Sequence, residues 1–148
     1  VKFKIAGTGP LESGLKERIE KEKLMNVEFL GYKTWDELER LIEGAKLVVL
    51  PSLWYENCPL SAVEAAGLGR VVLASNRGGF TEILPKDMLF DPDDIQAMAD
   101  KIKFWFSMDA KKRKQARQTL FDHVKNNYNA DLYWSELIKA YEKAMAKN

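Results

Sequence analysis

The segment KLVVLPSLWYENCPLSAVEAAGLGRVVLAS, residues 46–75, decides the fold that this sequence predicts. Residues 46–52 and 70–75 are apolar on consecutive positions, which is typical of parallel β-strands covered on both faces. Residues 59–68 between them read as a slim helix, because three alanines follow Pro59, a residue suited to the first helical position. A strand, a helix and a strand in this order predict a βαβ unit with a right-handed crossover.

The same alternation of strands and helices extends from this segment in both directions. Further strands are predicted at residues 1–7, 26–31 and 88–90, and further helices at 11–22, 34–44, 79–84, 95–108, 110–126 and 131–146. We therefore expect an α/β fold with a mostly parallel sheet flanked by helices. In such sheets the ligand site lies beyond the carboxyl ends of the strands. The core is expected to contain the aromatic residues Trp35, Phe104, Trp105 and Phe106.

The length and composition indicate one soluble globular domain. The 148 residues are 46% hydrophobic and 30% charged. With 23 basic and 22 acidic side chains the formal net charge is +1, so no overall field favours nucleic acid or a membrane surface. The single cysteine, Cys58, excludes an internal disulfide and fits a reducing, cytoplasmic environment. Because the chain opens directly in a strand pattern at Val1, we expect a fragment of a longer protein.

Three glycine-bearing turns follow predicted strands: Gly7-Thr8-Gly9-Pro10, Gly31-Tyr32-Lys33 and Arg77-Gly78-Gly79-Phe80. Glycine after a strand allows close approach of the backbone to a ligand, but it also occurs in turns that bind nothing. The sequence leaves both interpretations open. The first turn lacks a glycine at position 12 and does not complete the dinucleotide fingerprint, so NAD binding is not predicted.

Two carboxylates, Glu56 and Glu64, stand around the start of the helix predicted at 59–68. The amides of Leu60 and Ser61 lack intrahelical partners there, and with the helix dipole they favour an anion such as phosphate. Carboxylates repel phosphate, so we expect them to accept hydrogen bonds from sugar and ribose hydroxyls on either side. This pattern suits a nucleoside diphosphate sugar. The structural alternative is that Glu56 stabilises the helix dipole and Glu64 forms an exposed ion pair.

In order and spacing, these motifs resemble the glycosyltransferase group 1 domain, the C-terminal, donor-binding half of retaining GT-B enzymes such as glycogen synthases. The motifs that carry the resemblance are GTGP (7–10), VEFLGY (27–32), VVLPS (48–52), EAAGLGRVVLAS (64–75), GGFTE (78–82) and LFDPDD (89–94). The resemblance implies a Rossmann-like fold and a hexosyltransferase-type reaction. In that reaction a sugar moves from a UDP or GDP sugar to an acceptor hydroxyl, and no metal or other cofactor is expected.

The resemblance also implies roles for individual residues. Glu56 would face the transferred sugar and is the candidate catalytic residue, and Glu64 would bind the ribose hydroxyls. Glu82 corresponds to the acid of the family's GGxxE motif, although a charge at a helix start explains it equally well. The other donor-binding residues that the resemblance implies are Asn57, Cys58 and Leu60 at the sugar or diphosphate, Gly9 in the nucleotide cleft, Gly31 and Tyr32 at the base, and Gly78 and Gly79 near the sugar and diphosphate.

Several parts of the family pattern are expected outside this chain. The family's diphosphate-binding arginine and lysine precede the first strand, and an N-terminal domain binds the acceptor, which is a glycan, a lipid or a small molecule. We therefore expect the isolated chain to bind a nucleotide without transferring sugar. No nucleic-acid partner is expected, and peripheral membrane association of the full-length enzyme fits the resemblance. In the family the last helix crosses onto the N-terminal domain, so part of its apolar stripe, Trp134, Leu137, Ile138 and Tyr141, is expected to be exposed.

Two other functional classes would show a different pattern. A GT-B-fold sugar-nucleotide epimerase would present histidine and arginine at the diphosphate, and a non-catalytic nucleotide-binding or regulatory module such as a receiver domain would need an aspartate at a strand end. The sequence favours neither. The single histidine, His123, is expected at the surface or in packing. Cys58 has no histidine base near it in sequence, so a nucleophilic role is not predicted.

Overall fold

The computed structural model describes residues 1–146 and divides into two compact units, Val1–Leu41 and Ile42–Asn148. The first unit contains β1 (Phe3–Ala6), α1 (Glu12–Lys21), β2 (Val27–Gly31) and the greater part of α2 (Trp35–Gly44). The second contains β3 (Leu47–Leu50), α3 (Leu60–Gly67), β4 (Val71–Ser75), α4 (Phe80–Ile83), a 3-10 turn (Lys86–Met88), β5 (Leu89–Phe90), α5 (Ile95–Ser107), α6 (Ala110–Asn127) and α7 (Ala130–Met145).

Both units contain parallel strands, as the sequence predicts. In the first unit β1 pairs with β2, with Phe3 opposite Val27 and a register shift between Ile5 and Ala6. In the second, β3, β4 and β5 form a three-stranded parallel sheet in that order, with Leu47 opposite Val71. The predicted α/β class with parallel strands flanked by helices is confirmed. Hydrogen bonding divides the strands into two sheets, one in each unit.

The core of the second unit is built around β4, whose five residues are all buried. Helix α3 packs on β4 and on α6, and its residues Ala62, Ala65 and Ala66 are fully buried. Small side chains let a helix approach a sheet closely, which explains the three alanines. Trp105 of α5 is 1% exposed, and its indole N–H donates to the backbone carbonyl of Asp87 at 3.1 Å. A buried indole N–H normally has such a partner, and this hydrogen bond means that the burial of Trp105 leaves no donor unpaired.

The predicted element boundaries agree with the structure to within two residues. One local prediction is wrong. Pro59 is the N-cap of α3 rather than its first helical residue, since its ψ of 88° lies outside the helical range and the helix begins at Leu60. Thr34 and Glu37 have the sequence spacing of a capping box at the start of α2, and one of its two hydrogen bonds is formed. Glu37 accepts from the Thr34 amide at 2.9 Å, but the Thr34 hydroxyl also donates to Glu37.

The prediction that all four aromatic residues belong to the core is wrong for two of them. Trp105 is buried, Phe106 is partly buried, and Phe104 and Trp35 are exposed. Successive residues on an α-helix point about 100° apart, so three consecutive aromatic residues do not all reach one core.

The expectation for α7 is confirmed, because Trp134, Ile138 and Tyr141 are exposed. Within residues 1–146, no helix has the length and apolar character that crossing a bilayer requires.

Candidate donor-binding site

Three loops meet at the carboxyl edge of the second unit's sheet. Residues 51–59 follow β3, residues 76–79 follow β4 and residues 91–94 follow β5. Because the three strands are parallel and adjacent, the chain leaves each of them at the same edge of the sheet. The predicted site residues of this unit lie on the first two loops and on α3, so the fold places them where parallel sheets bind ligands.

Glu56 is held in a defined position within the first loop. Its side chain is partly buried, and the Ser52 hydroxyl donates to its Oε1 at 2.9 Å. Its backbone carbonyl accepts a hydrogen bond from the Gly79 amide at 2.6 Å. The second carboxylate, Glu64, is the fifth residue of α3 and is exposed. No salt bridge involves Glu56 or Glu64 within residues 1–146, so the exposed ion pair considered for Glu64 is not found in that part of the chain.

The amino end of α3 faces solvent. The Pro59 carbonyl accepts from Ala62 N and more weakly from Val63 N, at 2.9 and 3.4 Å, and these are the first amides of the helix to be paired. Leu60 and Ser61 are both exposed. Across the described residues their amides have no hydrogen-bond partner in the protein. The helix end therefore offers free N–H donors and its partial positive charge to an anion.

The glycine pair Gly78-Gly79 packs against the backbone of the loop that carries Glu56. A Cβ on Gly78 would lie 2.5 Å from the Glu56 carbonyl oxygen, and Gly78 also has a φ of +57°. A Cβ on Gly79 would overlap the carbonyl oxygen of Asn57. The sequence left open whether these glycines allow approach to a ligand or only form a turn. The structure gives a third reason for glycine at these two positions, which is the direct contact between the backbones of the two loops.

In the first unit, the predicted site residues lie at the carboxyl ends of β1 and β2. The Gly7 amide donates to the Gly31 carbonyl at 2.8 Å, and Gly31 has a φ of +67°, which favours glycine. The Gly9 carbonyl accepts from Glu12 N at 3.0 Å at the start of α1. Tyr32 is 74% exposed, so its ring is available to a ligand. The nucleotide contacts that the resemblance implies for Gly9, Gly31 and Tyr32 stay predictions.

Cys58, Glu82 and Tyr128 form a neighbouring group of side chains. Cys58 and Glu82 are exposed, and the Tyr128 hydroxyl donates to the Glu82 carbonyl at 3.3 Å. Burial raises the pKa of Tyr128, and the negative charges of Glu82 and Cys58 add to the effect. His123 is on α6, where its ring contacts Tyr128 edge to face. The described residues contain no group of three or more histidine, cysteine or acidic side chains suited to a metal ion.

A polar cavity of about 390 Å³ lies next to the glycine pair, and apart from Gly78 the sequence assigned no role to the residues that line it. Its lining comprises Tyr55, Asn76, Arg77, Gly78, Thr81, Asp91, Pro92 and Asp93. The signal that could have identified Arg77 is its place directly before Gly78-Gly79, in the turn that follows a predicted strand. An apolar cavity of about 580 Å³ lies between α6 and the segment 82–88. Neither cavity is lined by Glu56 or Glu64.

Comparison with known proteins identifies similar sequences and folds. The family model for glycosyl transferases group 1 matches residues 1–120. The amylovoran biosynthesis glycosyltransferase AmsK of Erwinia amylovora is 31% identical over 106 residues, covering 66% of this chain and 26% of that protein. The phosphatidylinositol N-acetylglucosaminyltransferase gpi3 subunit of Schizosaccharomyces pombe is 30% identical over 145 residues, covering 97% of this chain and 30% of its own length. The chain thus spans less than a third of either relative.

A solved structure has the same fold. Anabaena Alr3699/HepE, in complex with UDP and glucose, superposes with a TM-score of 0.85 at 20% identity, covering 97% of this chain and 41% of that one. At this level of identity the likeness concerns the fold, which is the GT-B fold expected from the motifs. The match to residues 1–120 confirms the resemblance at the level of the family.

Proposed function

Because this chain belongs to the glycosyl transferases group 1 family, we propose that it is the donor-binding part of a retaining glycosyltransferase. The reaction moves a sugar from a nucleoside diphosphate sugar to an acceptor hydroxyl. The enzyme is of the hexosyltransferase type and is larger than this chain. The short span of the chain along its relatives supports this, since AmsK is matched over 26% of its length.

One observation carries the proposal: α3 has an open amino end, and the carboxylates that precede it in the loop and follow it on the helix, Glu56 and Glu64, have no ion-pair partner in the described residues. The free amides of Leu60 and Ser61 suit a diphosphate, for which a helix amino end is a natural site. Glu64, exposed on the same helix, is assigned to the two ribose hydroxyls, each of which donates to one carboxylate oxygen. Glu56 is assigned to the transferred sugar.

The geometry around Glu56 supports a role that needs a fixed orientation. One carboxylate oxygen accepts from Ser52, which leaves the other oxygen free for a sugar hydroxyl. As the diphosphate departs, its developing charge would be stabilised by the α3 amides, and in the intact enzyme by cationic side chains. Asn57, Cys58 and Leu60 are assigned to the sugar or diphosphate through their backbone, and Gly78 and Gly79 to the same region.

The ligands bound by a structural neighbour support this class of donor. Structures of Anabaena HepE are complexes with UDP, with UDP and glucose, and with UDP-glucose. We therefore propose a UDP or GDP sugar as donor for this chain, and the two bases are distinguished by experiment. Binding of the acceptor is assigned to a part of the enzyme outside this chain. The same proposal places the full-length enzyme in the cytoplasm, with peripheral association to a membrane.

Calorimetric titration tests the proposal. UDP, GDP, UDP-glucose, GDP-mannose and inorganic pyrophosphate are titrated into the 148-residue chain and into Glu64→Ala. We expect Glu64→Ala to weaken every nucleoside diphosphate by roughly tenfold to a hundredfold, since hydrogen bonds to a charged group are lost, and to leave pyrophosphate unchanged. The matched control is Glu142→Ala, which removes an exposed glutamate of α7. It should change the affinity neither for the nucleoside diphosphates nor for pyrophosphate. Equal weakening of pyrophosphate and nucleotides, or no nucleotide binding at all, would contradict the assignment.

The proposal also limits what the isolated chain does. Acceptor binding and the cations for the diphosphate are assigned to other parts of the enzyme, so the chain should bind donor and transfer no sugar. The measurement is release of UDP or GDP from the sugar nucleotide in the presence of mixed acceptors. Turnover above the uncatalysed rate would contradict this part of the proposal and leave the binding part standing.

A further inference from the structure

Arg77 connects the three loops at the carboxyl edge of the sheet. It follows β4, its Nη1 donates to the backbone carbonyl of Leu53 at 2.8 Å, and its Nη2 donates to Asp93 Oδ2 at 2.9 Å. Leu53 belongs to the loop after β3 and Asp93 to the loop after β5. The guanidinium carbon also lies 5.2 Å from the centre of the Tyr55 ring. A planar group with donors on two sides is suited to such bridging, which a lysine does not reproduce.

The loop that Arg77 contacts has little other anchorage. The large side chains of Leu53, Trp54 and Tyr55 are all more than 65% exposed, so no apolar side chain from 53–55 is buried. Other contacts of the loop are the Ser52 to Glu56 hydrogen bond, a hydrogen bond from the Glu56 amide to the Trp54 carbonyl at 3.1 Å, and the close backbone approach of the glycine pair. The Arg77 side chain is only 21% exposed, whereas Asp93 is 73% exposed. Exposed ion pairs contribute little, so the contacts with Leu53 and Tyr55 carry most of the restraint.

The contacts of Arg77 and of the glycine pair fall on neighbouring residues of the loop that carries Glu56. Arg77 contacts residues 53 and 55, and Gly79 donates to the carbonyl of Glu56. Residues 77 and 79 are two positions apart on one loop, so a shift of that loop moves both sets of contacts. The two sets of contacts together restrain the segment that carries Glu56, although the Arg77 and Glu56 side chains make no direct hydrogen bond or salt bridge within residues 1–146.

We propose that Arg77 is a positioning residue, which holds the loop 53–57 and so aims Glu56 at the transferred sugar. The aim at the sugar rests on the proposed function, whereas the restraint of the loop does not. Without Arg77 the loop gains freedom, and a ligand that uses Glu56 must order it again on binding. A ligand without the sugar does not use Glu56 and contacts less of the loop, so it bears less of that cost.

The test uses the 148-residue chain with Arg77→Ala, Arg77→Lys and Asp93→Ala. Arg113→Ala is the matched control, because its Nη1 also donates to a backbone carbonyl, that of Met108, at 2.7 Å. Amide hydrogen exchange of Gly79 reports the loop contact directly. UDP with UDP-glucose, and GDP with GDP-mannose, are titrated as matched pairs, so that the gain in affinity from the sugar is measured for each variant.

For Arg77→Ala we expect Gly79 exchange to accelerate about tenfold or more while amides of β4 stay protected. The affinity for the plain nucleotide should stay within about twofold, and the gain from the sugar should fall about fivefold to tenfold. Arg77→Lys should restore part of the Gly79 protection and part of the gain in affinity from the sugar. Asp93→Ala should change both quantities less than Arg77→Ala does, and Arg113→Ala should change neither.

Two results would overturn the inference. Unchanged Gly79 exchange in Arg77→Ala would show that the loop does not depend on this side chain. Equal loss of affinity for nucleotide and sugar nucleotide would show a general defect rather than a misplaced Glu56. If the unaltered chain binds neither pair, the proposed function fails, and Gly79 exchange still decides whether Arg77 restrains the loop.

Discussion

The Gly79 amide donates a 2.6 Å hydrogen bond to the backbone carbonyl of Glu56, which brings the loops after β3 and β4 into direct contact. This contact is made by main-chain atoms, so it fixes the position of Glu56 independently of its side-chain rotamer. It also leaves no room for a Cβ on residue 79, which would overlap the carbonyl oxygen of Asn57. The glycine is therefore required by the architecture of the loops.

Gly79→Ala should destabilise the protein and displace the loop that carries Glu56. An added methyl group against a backbone carbonyl forces the chain to move, and overpacking of this kind costs about 1–3 kcal/mol. Urea denaturation followed by circular dichroism measures the change. The control is Gly67→Ala at the end of α3, where a Cβ meets no atom within 4 Å. That substitution should be neutral or stabilise by up to about 1 kcal/mol, because alanine favours the helix. Equal effects of the two substitutions would contradict the role given to Gly79.

Trp105→Ala should remove about 3–5 kcal/mol from the free energy of unfolding, since it leaves a large cavity in the core and an unpaired carbonyl at Asp87. Phe104→Ala, on the adjacent position of α5, should cost well under 1 kcal/mol, because Phe104 is 58% exposed. Chemical denaturation of both variants measures the difference. Similar costs would mean that α5 presents a different face to the core.

The N-cap of α5 provides a third prediction. Asp94 accepts a hydrogen bond from the Ala97 amide at 2.9 Å, so Asp94→Ala should cost about 1 kcal/mol of stability. Asp94→Asn keeps the accepting oxygen and should cost much less, which separates the hydrogen bond from the charge. A melting-temperature series on the three proteins makes the comparison, and a full loss in Asp94→Asn would assign the effect to charge instead.

The carboxylate of Glu37 should titrate at lower pH than an ordinary glutamate. The hydrogen bond from the Thr34 amide is the main cause of its lowered pKa, followed by the Thr34 hydroxyl, with Lys33 adding a favourable charge. A lowered pKa stabilises the fold above the unfolded value of about 4.3, and this contribution disappears as the pH falls through the folded value.

Carboxyl NMR shifts recorded between neutral and acid pH test this prediction. Thr34→Ala removes the hydroxyl and retains the amide, so the pKa of Glu37 should rise only part of the way towards its ordinary value. A pKa of Glu37 at or above the ordinary value in the unaltered chain would show that the Thr34 amide does not make this contact in solution.

Local patterns were enough to predict most of the fold. Consecutive apolar residues identified β3 and β4, and the order of strands and helices identified the parallel α/β class, because both depend on periodicity along the chain. The carboxylates around α3 and the glycine pair could be selected for the same reason, since their spacing and their places after strands are written in the sequence. The motifs in their order were sufficient to identify the family.

Other features depended on contacts between residues distant in sequence. Which of Phe104 and Trp105 is buried follows from the rotation of α5 against the sheet, and periodicity did not decide it. The need for glycine at 78 and 79 arises from the backbone of Glu56 and Asn57, more than twenty residues earlier. The bridging position of Arg77 exists only because three parallel strands bring three loops to one edge. The elements and their chemical groups could be predicted because they depend on local sequence. Which side chains share a site could not, because that depends on how distant segments pack together.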